Sequence, residues 1–340
     1  MRRIAAFLVS SLLTAAAVLA APPAGADPGE FDLQSHRGGR GETTEESLRA
    51  FAKSLELGVS TLEFDIVLTA DAQPLVWHDP RIEPAKCADT GPAFPGDPQF
   101  PYVGKLVHDL TLAQIRTLDC GRRLPDFPDA EVVAGNTIAT LPEVFALTDA
   151  YRADVRYNIE TKIEADHPEM SASPEQFVEV ILAAVRAADK LDKVDIQSFD
   201  WRTLPLVAQA APDVPRVALW DETTWVPGSP WLAGVDPAEV GDPIDGAMMV
   251  GADILSPGYS VPYGLTPADP GFRLVADEAF VARAHAAGLR VIPWTINDPD
   301  TMRAQIAAGA DGIITDYPTR LRTVMAEFGM PLPPSYQRVG

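Results

Sequence analysis

Eight short apolar runs, separated by segments that carry helical start and stop signals, constrain the fold of this chain more than any other feature. The runs are Phe31 to Arg37, Thr61 to Leu68, Val155 to Ile163, Val194 to Phe199, Arg216 to Trp220, Asp253 to Ser256, Val291 to Ile296 and Gly312 to Thr315. Strands that alternate with helices pair in parallel, and eight is the number that closes a barrel. The intervening segments read as its outer helices. Thr43 with Glu46 forms a capping box ahead of the apolar stripe Leu48, Phe51, Ala52 and Leu55, and Gly58 ends that helix. Ser173-Pro174-Glu175-Gln176 opens another, leading into Phe177 to Leu191, and Asp277 to Gly288 and Asp298 to Gly309 repeat the pattern. The expected fold is α/β, a single (β/α)8 barrel with an insertion after the second strand.

Two regions break the rhythm. Residues 80–140, following an apolar run from Leu75 to Asp79, are rich in Pro, Gly and Asp and hold both cysteines, which predicts a cap-like insertion. Residues 221–251 carry Trp225 and Trp231 among prolines and glycines and are expected to form a substrate-facing loop, because loops that follow barrel strands lie on the catalytic face. At the start, Met1-Arg2-Arg3, an apolar run from Ile4 to Leu19 and Ala24-Gly25-Ala26 predict a secretory signal peptide over residues 1–26. The barrel domain then covers 27–340, released to the exterior, the periplasm or the cell envelope, without a stable membrane anchor. In such a compartment Cys87 and Cys120 are expected to pair as a disulfide.

Losing Arg2 and Arg3 moves the formal charge from -21 to -23. So acidic a surface excludes nucleic acid as a partner and excludes docking on anionic membranes through a basic patch. A small anion remains admissible where local cations neutralise it.

The chemistry-bearing residues cluster at strand ends. Alternate residues of a strand share a face, so Glu63 and Asp65 point the same way, as do Asn158, Glu160 and Lys162. A solvated edge strand is one fate for such an acid pair. A second acidic strand and two histidines at strand ends favour a shared cation instead. Three carboxylates without a crowd of cysteine or histidine suit a hard divalent ion, Mg²⁺ or Ca²⁺, rather than zinc. His36 and His78 each close an apolar run. Arg37 presents a fork that matches phosphate, beside Gly38, Gly39 and Gly41, which let backbone approach a ligand. Trp294 belongs either to the core or to a substrate face. His108, His167 and His285 lie in polar or helix-surface contexts, and Glu46 is accounted for as a cap.

His36-Arg37-Gly38, Glu63-x-Asp65, His78-Asp79, Asn158-Ile159-Glu160-Thr161-Lys162, Trp294-Thr295-Ile296-Asn297 and Gly312-Ile313-Ile314-Thr315-Asp316-Tyr317-Pro318 together resemble the glycerophosphodiester phosphodiesterases. The resemblance runs in order through nearly the whole chain after residue 26. It implies a (β/α)8 enzyme that hydrolyses glycerophosphodiesters to glycerol 3-phosphate and an alcohol. By the same likeness Glu63, Asp65 and Glu160 would bind the metal, and His36 and His78 would be general acid and base. Arg37 and Lys162 would hold the phosphate, and Trp294 would line the pocket. The family's usual P-E-N-T stands here as Thr44-Glu45-Glu46-Ser47, with Glu46 in place of the asparagine. Two further readings follow from the same residues: a phospholipase D acting on lysophospholipids or sphingolipids, and a secreted binding protein that keeps the fold without catalysis.

Overall fold

The computed structural model of the protein describes residues 30–339. The signal peptide expected over 1–26 lies outside the described residues. In chain order the elements are β1 Asp32–Ser35, α1 Leu48–Leu57, β2 Thr61–Leu68, β3 Pro74–Val76, β4 Ala88–Asp89, α2 Leu112–Ile115, β5 Leu118–Asp119, α3 Leu141–Ala150, β6 Arg156–Thr161 and α4 Pro174–Ala187. They continue as β7 Val194–Ser198, α5 Thr203–Ala210, β8 Arg216–Trp220, α6 Pro237–Val240, α7 Pro243–Met249, β9 Ile254–Pro257, α8 Glu278–Ala286, β10 Arg290–Val291, α9 Pro299–Ala307, β11 Gly312–Thr315 and α10 Pro318–Glu327.

Eight strands pair in parallel in the order β10-β9-β8-β7-β6-β2-β1-β11, so each of the eight apolar runs supplies one stave of a nearly closed barrel. The last seam, between β10 and β11, is held by Asp311 N–H to Val291 O, Ile314 N–H to Pro293 O and Ile296 N–H to Ile314 O. Pro293 has no N–H to give, which interrupts the ladder. That is why the run from Val291 to Ile296 forms only a two-residue strand. The helices start largely where their caps direct. Ser173 Oγ accepts from Gln176 N–H, and Asp277 and Asp298 cap α8 and α9. The apolar sides of α1, α3 and α4 (Phe51, Leu55, Val144, Phe145, Phe177, Ile181, Val185) bury against outward-facing Leu62, Phe64, Ile66, Tyr157 and Ile159.

One cap is not where the residue pattern places it. Helix α1 is capped by Ser47, whose Oγ accepts from Ala50 N–H, and Glu46 precedes it in a left-handed conformation with φ 54°. Its carboxylate turns inward and accepts from Asp65 N–H at 3.0 Å. A four-residue spacing shows that Thr43 and Glu46 could form a box, but burial beside β2 decides otherwise.

The run from Leu75 to Asp79, which is not one of the eight staves, starts within the short strand β3. Strand β3 folds back antiparallel on β2 from opposite Leu68 to opposite Ile66, and so brings the chain back from the C-terminal tip of β2 toward Asp65. The segment from there to α3 carries the small β4–β5 sheet, the Cys87–Cys120 disulfide and an apolar cluster of Trp77, Ile82, Tyr102, Val107, Leu110, Ile115 and Leu118 that rests on Val67 of β2. Among the described residues no helix is long and apolar enough to cross a membrane.

Candidate active site

The barrel interior is divided. On the β1, β2, β6 and β7 side the inward residues are polar: Asp32, Gln34, Thr61, Glu63, Asp65, Asn158, Glu160, Asp195 and Gln197, all buried. On the opposite side Val217, Ile254, Ile292 and Ile314 form an apolar cluster with Trp294 against it. The two-residue period of each strand continues past its C-terminal end. It carries Gln34 on to His36, Glu160 to Lys162, Gln197 to Phe199, Ile292 to Trp294 and Ile314 to Asp316. All five of those residues line a cavity of about 500 Å³ at the barrel mouth. Its polar wall also holds Arg37, Arg40, Glu63, His78 and Glu160, and its apolar wall holds Tyr259 and Tyr263.

Glu63, Asp65 and Glu160 converge there, with one oxygen of each within 4.8 Å of the others. The β2–β6 register sets Asp65 directly opposite Glu160. Glu63 is fixed on both oxygens, by Gln197 Nε2–H at 2.6 Å and Arg37 N–H at 3.0 Å. Gln197 is held by Asn158, whose Nδ2 donates to it at 3.0 Å and to Gln34 at 2.8 Å, and Gln34 donates to Asp32. A buried hydrogen-bonded column thus supports the acids from below. Asp65 is different, since both its oxygens are buried without a hydrogen-bond partner. Arg37 Nε lies 3.0 Å from Asp65 Oδ2 but out of line for a hydrogen bond, so charge alone links them. Burial, then the Asp65 charge, pushes Glu63 well above the carboxylate range. Burial raises Glu160 to about 7 against the pull of Lys162, while Arg37 chiefly holds Asp65 low against its own burial. Clustered acids that repel one another, with two oxygens lacking donors, fit a hard divalent cation with oxygen ligands.

Each histidine is gripped by a carboxylate through Nδ1. His36 Nδ1–H donates to Asp316 Oδ1 at 2.5 Å, Asn297 Nδ2–H donates to Asp316 Oδ2 at 2.7 Å, and Arg40 Nε lies 3.1 Å from Oδ1 as an ion pair out of line for a hydrogen bond. His78 Nδ1–H donates to Asp79 Oδ1 at 2.9 Å. A carboxylate partner fixes the Nδ1–H tautomer and leaves Nε2 as the free nitrogen in both rings. Burial lowers both imidazoles, outweighing the attraction of Asp316 at His36, and Arg37 and Lys162 depress His78 further. Both surroundings thus favour the neutral ring.

The remaining expected residues take these places. Arg37 adopts φ 50° and reaches Glu45 Oε2 at 3.4 Å as well as Asp65, so its fork is partly occupied by protein acids while still lining the cavity. Lys162 Nζ bonds Glu160 Oε1 at 2.7 Å. Trp294 presents its ring to the cavity, edge-on to Phe199, with Nε1–H donating to Ser256 O. His108, His167 and His285 lie away from this cluster. Residues 221–251 do not line the cavity: Trp225 packs on Trp201 and Trp220, filling an outer core, and the corresponding wall comes from Tyr259, Tyr263, Gly264 and Thr266 after β9. Trp231 instead packs edge-on against Phe199 and donates to Asp166 Oδ2, without lining the cavity itself. Asp316, Asn297, Arg40 and Phe199 were not expected in roles here. Parity extended one step beyond each strand would have found Phe199 and Asp316.

The profile of the glycerophosphoryl diester phosphodiesterase family matches residues 36–320. The chain belongs to this family. A family member named glycerophosphodiester phosphodiesterase, from Caldanaerobacter subterraneus subsp. tengcongensis, is 27% identical over 87% of this chain and 98% of its own length. Among solved structures, a Silicibacter pomeroyi protein assigned to the glycerophosphoryl diester phosphodiesterases superposes with a TM-score of 0.73 at 27% identity, covering 93% of this chain and 98% of that one. An Oleispira antarctica phosphodiesterase solved with its product sn-glycerol-3-phosphate shares the fold, with a TM-score of 0.62 at 18% identity over 87% of this chain and 96% of that one. The protein is accordingly an enzyme of the glycerophosphodiester phosphodiesterase class.

Proposed function

We propose that the protein is a secreted, metal-dependent phosphodiesterase that releases glycerol 3-phosphate and an alcohol by acid–base catalysis at His36 and His78. One observation carries this reading: two imidazoles, each anchored through Nδ1 to a carboxylate, flank a buried triad of acids. Glu63, Asp65 and Glu160 would hold Mg²⁺ or Ca²⁺. When bound, that ion neutralises phosphoryl charge and favours ionisation of an oxygen nucleophile. Arg37 and Lys162 add positive charge beside the phosphoryl oxygens, while the apolar wall of Phe199, Tyr259, Tyr263 and Trp294 takes the organic part of the substrate. One free Nε2 removes a proton from the attacking oxygen, either water, which gives glycerol 3-phosphate directly, or a neighbouring substrate hydroxyl, which gives a cyclic phosphate that water then opens. The other imidazole, protonated once the anionic substrate offsets the neighbouring cations, delivers a proton to the leaving oxygen. The signal-like start and the Cys87–Cys120 disulfide support an extracytoplasmic setting.

The test is a divalent-metal screen of the purified protein, with chelator controls, against a panel of glycerophosphodiesters. Glycerophosphocholine is expected to be cleaved to glycerol 3-phosphate only with metal present. His36→Ala and His78→Ala are each expected to lower kcat about 10²- to 10⁴-fold while the far-UV spectrum is unchanged. Near-normal product release by either variant removes that histidine from the mechanism. A metal-binding chain silent on every diester would be a binding protein. The aromatic wall supports a second reading on lysolipids, which comparison with lysophosphatidylcholine decides; a human relative 22% identical is named lysophospholipase D.

A further inference from the structure

Lys86 lies outside the family motifs quoted above, yet it sits where two halves of the site meet. Its Nζ bonds Asp79 Oδ2 at 2.5 Å and also Glu45 Oε1, and it lies 5.0 Å from the centre of the Trp77 ring. Asp79 uses its other oxygen to hold His78, and Glu45 uses its other oxygen toward Arg37 and Arg40. One ammonium group therefore joins the carboxylate behind one imidazole to the carboxylate behind the phosphate-facing guanidinium. The site side of Lys86 is largely shielded, at 14% side-chain exposure, so the contacts are protected from solvent screening.

The backbone of Lys86 is as constrained as its side chain. Lys86 N–H donates to Glu83 O at 3.0 Å, and Lys86 O accepts from Arg122 N–H at 3.2 Å. The next residue, Cys87, is bridged to Cys120, which stands two positions before Arg122. We infer that Lys86 is a positioning residue, delivered by the disulfide-closed segment, that fixes His78 through Asp79 and Arg37 through Glu45.

This rests on the catalytic reading above, so the experiment carries one readout that needs no turnover. Lys86→Met and Lys86→Arg are compared in the wild-type and Asp79→Asn backgrounds, using glycerophosphocholine. Lys86→Met is expected to lower kcat tenfold or more, and Lys86→Arg to recover it to within threefold. In the Asp79→Asn background Lys86→Met is expected to cost less than threefold, because residues that act through one contact are not additive. In parallel, the His78 imidazole nitrogen resonances, identified by their loss in His78→Gln, are expected to move in Lys86→Met as in Asp79→Asn and to stay put in Lys86→Arg. A Lys86→Met enzyme within threefold of wild type, losses that multiply in the double variant, or unmoved His78 resonances would overturn the inference. Should wild-type protein fail to turn over the substrate, the catalytic reading fails and the resonances alone decide the role of Lys86.

Discussion

Asp316 shows how much of this site depends on single carboxylates that hold another group. It is hydrogen-bonded by His36 and Asn297 and ion-paired with Arg40, and His36 and Arg40 hold its carboxyl down to about 2 against the cost of its burial. A carboxylate depressed on folding contributes stability that is present above its unfolded value near 3.9 and is lost as pH falls through about 2. Asp316→Asn is therefore expected to cost roughly 2 kcal/mol at neutral pH, with the gap closing between pH 4 and 2. Denaturant titrations of both proteins across that range check it, and a gap that does not change with pH would exclude the linkage. The same variant keeps a group beside His36 but loses the charge that supports an imidazolium, so kcat is expected to fall more than KM changes.

At the scale of elements, the strands explain the site through their period, and the segment from 77 to 140 explains it through attachment. Strands β1, β6, β7 and the chain after β10 and β11 each place a functional side chain one parity step past their last core residue. The 77–140 segment reaches the site differently, through His78, Asp79, Lys86 and Phe127, and is closed on itself by a disulfide whose partners are 33 positions apart. Closing a loop of that size stabilises by roughly 3 to 4 kcal/mol in the chain-entropy account. Replacing Cys87 and Cys120 together by serine is expected to lower stability by that order, read by thermal unfolding. Because the segment supplies most of the apolar cluster around Tyr102 and Ile115, it is expected to loosen before the barrel does, seen as faster amide exchange at β4 and β5. Exchange rising equally throughout the barrel would contradict that independence.

For the whole molecule, the divided interior is the organising fact. A barrel half lined with acids and amides is costly to bury unless its groups are paired, and the column from Asp32 to Glu63 pairs most of them, while Asp65 lacks a donor on both of its oxygens. A cation that binds only the folded chain should then stabilise all of it, by about 2.7 kcal/mol at a hundredfold excess over Kd. Calcium or magnesium is expected to raise the melting temperature by several degrees in the wild type. It should do so far less in Glu63→Gln, which offers a cation one neutral oxygen and sets an amide N–H against one of the two donors, Gln197 Nε2–H or Arg37 N–H, that hold Glu63. An equal shift in both proteins would remove Glu63 from the ligand set.

The eight staves, most helix starts and the convergence of Glu63, Asp65 and Glu160 were legible in the residues, because period and capping are local and strand parity forces acids onto a common face. The residues behind the site were not. Asp316 finds His36 across 280 positions of chain, Gln197 finds Glu63 across 134, and Glu46 leaves its expected cap to serve Asp65. Trp225 turned into an outer core rather than the mouth. Local rules set which face a side chain occupies. Barrel closure sets which distant carboxylate, amide or ring waits on that face, and only the folded chain brings such partners within hydrogen-bonding distance.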